Sequence, residues 1–166
     1  MKKIIYLALI MLFVIILGAC AKATPQSANE MINPGDKIGD FLITTGDEGK
    51  VTYGWELDEC THQENKTINW CPTTVGTKVN VSIGIYGQDL EEKWSSHTYE
   101  MIINGHPINL QAFGSIDVTH PIVGQMRYWN VVIVTNKPGE IIVISKVVVV
   151  GGDSSEDTTT YSFNSP

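Results

Sequence analysis

A chain of 166 residues, 43% of them apolar, can build one domain with its own core and is too short for two of ordinary size. Eighteen acidic residues against eleven basic ones leave a net charge of −7. Such a surface repels phosphate backbones and anionic headgroups, which sets nucleic-acid binding aside.

The chain opens with Lys2 and Lys3, an apolar run from Ile4 to Leu17, and two small residues before Cys20. A membrane-spanning helix needs roughly 20 apolar residues, so this shorter run fits the central part of an export signal. The residues Leu17-Gly18-Ala19-Cys20 resemble the lipobox of bacterial lipoproteins. That resemblance implies cleavage after a signal peptide of residues 1–19 and a diacylglycerol on the Cys20 sulfur. A second acyl signal is what makes such an anchor stable. Ala21, rather than Asp, follows the cysteine, so the expected location is extracytoplasmic, at the outer membrane or the outer face of the cell membrane. A plain secretory signal ending in cysteine and an uncleaved anchor are the alternatives. Losing Lys2 and Lys3 with the signal takes the net charge from −7 to −9.

Residues 20–35 are rich in Ala, Ser, Thr, Gln, Asn and Pro, the composition of a flexible tether. The domain is expected over residues 36–163, with 164–166 as a loose end. Within it, apolar residues recur with period two. Val51, Tyr53, Trp55 and Leu57 alternate with polar or small neighbours, as do Val79, Val81, Ile83 and Ile85, and more weakly Tyr99, Met101 and Ile103. Each pattern predicts a half-buried strand.

Gly46 to Gly49 offers a loose turn, and Asn104-Gly105 a tight hairpin, because both residues tolerate positive φ. Asp89 to Ser95 is the one stretch expected to form a helical turn, with Asp89 as its cap. The strongest hairpin is predicted from Met126 to Thr135, through Asn136-Lys137-Pro138-Gly139, to Glu140–Val150. Ile141 to Ile144 and Val147 to Val150 are apolar on both faces, which suits a central strand better than a helix because β-branched side chains crowd a helical turn. The Val147–Val150 stretch would invite aggregation if bare, so it is expected to be covered within the domain or by a partner.

Seven to nine short strands, regular turns and no long amphipathic helix point to an all-β fold, an antiparallel β-sandwich, with a closed barrel as the alternative. The segment Asn136-Lys137-Pro138-Gly139-Glu140-Ile141-Ile142-Val143 resembles the end-of-domain hairpin of bacterial immunoglobulin-like modules. It departs from them at Ile141 or Ile142, where such modules often carry tyrosine. The resemblance implies an immunoglobulin-like sandwich and nothing about activity.

Cys60 and Cys71 remain once Cys20 is lipidated, and an even pair in an exported chain reads most simply as a disulfide. The competing reading gathers Cys60, His62 and Cys71 around zinc with one of His97, His106 or His120, in a spacing that matches no common zinc module. His106-Pro107 and His120-Pro121 read more simply as turn or strand-edge residues. Asp153, Ser155 and Asp157 alternate in a loop after Gly151-Gly152, as either a solvated acidic turn or a calcium loop. The turn is preferred, since the sharp-bend glycine and the bidentate Glu of a calcium loop are missing. No cofactor beyond the lipid is expected.

No nucleophile elbow, zinc-protease pair, phosphate loop or Cys-x-x-Cys occurs, and the adjacent pairs Asp58-Glu59 and Glu91-Glu92 point apart on a strand. Trp70 and Trp94 fall in segments predicted as loops, where an exposed indole stacks on a sugar or a partner; packing against the domain is the bland reading of each. Trp55 and Trp129 belong to strand patterns and are assigned to the core. Together these features suggest a non-enzymatic binding or adhesion module with a protein or glycan partner. An accessory subunit of an envelope complex is the alternative, and a carbohydrate-active hydrolase a more distant one.

Overall fold

A computed structural model describes residues 30–46, 61–62 and 68–166. The signal peptide, Cys20, most of the tether, the Val51–Leu57 pattern, Asp58-Glu59 and Cys60 lie outside the described residues, as does all but Gly46 of the Gly46–Gly49 turn.

Strands dominate the described residues, and the chain is all-β. In order they are β1 (Lys37–Ile38), β2 (Phe41–Thr45), β3 (Thr61–His62), β4 (Ile68–Thr74), β5 (Val79–Tyr86), β6 (His97–Ile103), β7 (His106–Pro107), β8 (Ser115–His120), β9 (Gly124–Val134), β10 (Gly139–Val149) and β11 (Ser154–Asn164). Two short helices interrupt them, α1 (Leu90–Ser95) before β6 and α2 (Leu110–Phe113) before β8. Three of the strands are only two residues long.

One sheet runs β1-β2-β9-β5, and β8 shares with β2 the edge of β9 that β5 leaves open. The other runs β3-β4-β11-β10-β6-β7. Its neighbours are antiparallel except β4 and β11, which pair in parallel from Thr158↔Ile68 to Asn164↔Thr74. The purely antiparallel expectation is corrected there: β4 and β11 are far apart in sequence, so no hairpin constrains their relative direction.

Period-two patterning places one face of each sheet inward. Ile43, Val81, Trp129, Val131 and Ile133 of the first sheet join Met101, Ile103, Ile141, Val143 and Phe163 of the second in a single core. Burying each large aliphatic side chain there contributes about 1.5–3 kcal/mol. On the opposite face of β9, Asn130 is also buried, and it bonds across the strands to Asn80 (3.2 Å) and Ser82 (3.3 Å), which offsets its desolvation.

Several sequence expectations change. The domain includes residues before 36, because Ile32 is 0% exposed, bridges Ile108 in parallel and exchanges main-chain bonds with Pro107 and Asn109. One apolar residue in a polar stretch suffices to dock it. At the other end, Asn164 is still in β11 and its carbonyl accepts from Val75.

The Asn136-Lys137-Pro138-Gly139 turn does not close a hairpin, since β9 stays in the first sheet and β10 enters the second. It is an arch between sheets. The partner of β10 is instead β11, paired over ten positions from Gly139↔Phe163 to Val148↔Ser154. Finally, β10 is a central strand, but it is partly bare: Ile142 is 45% exposed on its outer face, Val149 36% at its end, and Val150 just past it 68%. Val147 packs against the core from the inner face.

Candidate functional site

The helix α1 is positioned by charge rather than by its cap. Asp89 sits at the N-cap with φ 57°, and its carboxylate makes no capping bond. In the left-handed conformation its main-chain carbonyl still accepts from the Lys93 N–H, but the anchor of the helix is Arg127 of β9. That guanidinium donates to both carboxylate oxygens of Glu91 (3.0 and 2.7 Å) and of Asp117 on β8 (2.6 and 2.8 Å). It also lies 5.6 Å from the centroid of the Trp94 ring, in cation–π range. The Arg127 guanidinium holds the Glu91 and Asp117 carboxyls below their usual range, chiefly through the hydrogen bonds it donates.

Clamped in this way, α1 turns Trp94 onto the sheets. Its ring centroid lies 4.3 Å from Trp129 and 4.7 Å from Tyr99, and Tyr99 meets Trp129 edge-on at 5.0 Å. Such clusters contribute beyond simple area burial. The Tyr99 hydroxyl is buried without a hydrogen-bond partner among the described residues, and burial pushes it up to about 12. Beside it, His97 stacks on Tyr99, and its Nδ1 lies within hydrogen-bonding distance of the Lys93 carbonyl. Donation through Nδ1 leaves Nε2 as an acceptor.

These rings floor a groove of about 410 Å³. One wall is the start of β6, from His97 to Tyr99. The opposite wall is the segment from Ile108 to Gln111, where the chain leaves β7 and enters α2. The half-exposed Met31 stands at the rim. The groove exists because the second sheet splits: Ile108 N–H donates to Met101, and beyond that point the chain follows Ile32 instead of β6. Its size falls within the range of small ligand pockets, and its lining includes no carboxylate.

The other sequence candidates lie elsewhere. Trp70 is on β4 rather than in a loop; it is 44% exposed and stands opposite Thr160 on the outer face of the second sheet. Trp94 is on α1 and partly buried, in the groove floor. Asp153, Ser155 and Asp157 are all exposed, and only Ser155 and Asp157 share a face, spaced along β11. Asp153 lies in the β10–β11 turn, where its carbonyl accepts from Val149.

Cys71 is buried on the inner face of β4 beside Tyr161, while Cys60 lies outside the described residues. His97 is in the groove wall. His106 is on β7 with a buried Nδ1 that has no hydrogen-bond partner among the described residues, and His120 ends β8, where Nδ1 accepts from the main chain of Ile122 and Val123. Among the described residues, no three His, Cys, Asp or Glu side chains converge as a metal site would require.

Sequence reasoning missed the groove. His97, Asn109 and Gln111 carry no motif, and Arg127 reads in sequence as an ordinary outward residue of a strand. The signal for Trp94 was present, an indole in the one helical stretch, but its neighbours are set by tertiary packing.

No family model and no curated protein matches the chain. Among solved structures, a chain from the "Structure of PbICP-C in complex with falcipain-2" aligns at 13% identity over 64% of this chain and 93% of that one, with a TM-score of 0.34. That likeness is too slight to relate the two folds.

Proposed function

We propose that this protein is an extracytoplasmic lipoprotein, anchored through Cys20 to the outer membrane or the outer face of the cell membrane, whose domain is a non-enzymatic binding module. The two sheets are taken as an immunoglobulin-like sandwich, with the Cys60–Cys71 disulfide tying β4 to the preceding segment. The observation that carries the binding role is the groove over Trp94, Tyr99 and Trp129. Its floor is apolar and held by the Arg127 clamp, and its walls add amides and hydroxyls that orient a ligand. The lack of a carboxylate in the lining favours binding over glycoside hydrolysis, which takes a facing pair of them.

A second reading, an accessory subunit of an envelope assembly, is favoured by the outer face of the second sheet. There Trp70 and Ile142 stand exposed in neighbouring ladders, with Ile144 and Ile102 partly exposed beside them. Peptide and glycan arrays probed with the wild type, Gln111→Trp and Trp70→Ala separate the two. Filling the groove with Gln111→Trp is expected to abolish array binding while Trp70→Ala retains it. The reverse pattern transfers the function to the outer face.

A further inference from the structure

The first wall of the groove is a strand edge, and its main-chain polarity is fixed by the ladder. Val150 N–H donates to Ser96, and Asn104 N–H donates to Ile142. Main-chain groups alternate along an antiparallel strand, so those of Thr98, Glu100 and Ile102 face β10. Met101 faces the other way, accepting from Ile108 N–H, and His97 and Tyr99 share its side. Beyond Met101, however, the neighbouring segment has peeled away. The N–H and C=O of His97 and Tyr99 therefore face the groove without a main-chain partner among the described residues.

We propose that the open edge of β6 at His97–Tyr99 accepts an extended polypeptide segment of a partner protein as an added strand, with an uncharged apolar side chain of that segment seated over Trp94 and Trp129. The proposal rests on the binding-module reading and names the partner class for its groove. Two residues apart on a strand, the donors and acceptors of His97 and Tyr99 repeat at about 6.6–6.8 Å, the period at which an extended peptide presents its own. An added strand would continue the ladder that Ile108 breaks off, in the manner of strand addition to other open sheets. A glycan carries hydroxyls at no such period.

The lining also selects the side chain. Trp94, Trp129, Leu110 and Ile108 are apolar, and Thr98, Asn109 and Gln111 are polar and uncharged. A Lys of the incoming strand would enter without an opposite charge in the lining, at a large desolvation cost, and a Glu would meet only the His97 imidazole at its edge. The groove's 410 Å³ leaves room for a large apolar residue beside the added backbone.

The test uses a phage-displayed library of random dodecapeptides, selected against the wild-type domain and counter-selected against Gln111→Trp, whose site is exposed at the groove mouth. Enriched peptides are expected to carry a central apolar residue and to bind Gln111→Trp about tenfold or more weakly, because the added ring occupies the slot. Bound peptide should slow amide hydrogen exchange at His97 and Tyr99, and N-methylation of its edge-facing amides should remove binding. Thr98→Arg, a second exposed groove position, gives the same loss if Gln111→Trp fails to fold. Enriched peptides that leave the Tyr99 amide unprotected overturn the proposal. If no peptide is enriched but an arrayed glycan binds and is lost in Gln111→Trp, strand addition is wrong while the binding module stands. If neither probe engages the groove, both readings fall.

Discussion

Arg127 is a residue whose loss should be felt in two ways. Its four charge-assisted bonds tie α1 to β8 and β9, and its guanidinium lies over the Trp94 ring. Arg127→Met keeps the stem and removes the bonds, so its thermal midpoint should lie below that of the wild type at neutral pH. Because Glu91 and Asp117 have their carboxyls lowered by this arginine, their stabilisation is complete above the ordinary values of 4.5 and 3.8 and is lost as pH falls below them. The gap between the two proteins should therefore close between about pH 5 and pH 2, and a gap that persists at pH 2 would place the arginine's role in packing alone. The alkaline side is governed by burial. Tyr161 is 7% exposed and its hydroxyl is pushed up to about 12, so the folded state holds the proton longer than the unfolded chain does. Stability from this group is intact below pH 10 and should fall by an amount on the order of 2 kcal/mol as pH rises to 12. Denaturation curves of the wild type and Tyr161→Phe across that range measure it, the variant being the less alkali-sensitive of the two.

Turns show at the scale of elements what local chemistry decides. Asn104 and Gly105 have φ of 47° and 82° and link Ile103↔His106 in a two-residue hairpin, as their side chains predict. Asn104 has a further role, since its Oδ1 accepts from the Ile142 N–H at 2.8 Å and pins the hairpin to β10. Asn104→Ala loses both the tolerance of positive φ and that bond and should cost about 1–2 kcal/mol, whereas Asn104→Gly keeps the conformation and should cost less. Equal losses in urea titrations would make the bond to Ile142 the whole effect. The 136–139 turn was just as legible as a turn, but turn chemistry does not say which sheet receives the next strand. There the Thr135 hydroxyl accepts from the Lys137 N–H, and Lys137 pairs with Asp40 at 2.8 Å, so the arch is fixed to the β1–β2 turn rather than closed on itself. The longest missed strand was β11, whose Ser154–Thr160 half is polar throughout and shows no period-two contrast. Its place is set by ten paired positions with β10, and pairing leaves no mark in composition.

For the whole molecule, the fold class was readable because alternation and turn residues are local, while the groove was not, because it arises where two segments fail to pair. Ile32 sits beside that failure: fully buried, it bonds Pro107 and Asn109 on the edge away from β6, just before the chain turns into α2, and Met31 next to it stands at the groove rim. The same residue docks the N-terminal end of the described chain onto the core. If the proposed lipid sits on Cys20, the eleven residues from there to Met31 span at most roughly 40 Å, which would hold the groove mouth near the membrane surface. Stability and groove shape thus meet at one side chain. Ile32→Ala should lower stability by about 2–5 kcal/mol, the usual cost of emptying a buried aliphatic site, whereas Met31→Ala, at a position 54% exposed, should lie within about 0.5 kcal/mol of the wild type. The indole emission of Trp94 and Trp129 gives the second readout. Releasing Ile32 frees the 108–111 wall from its strand partner and should shift that emission toward the red, as water enters the groove, before global unfolding begins. Emission that moves only with the global transition would mean that β6 and α1 alone shape the groove, with the N-terminal segment serving only as core.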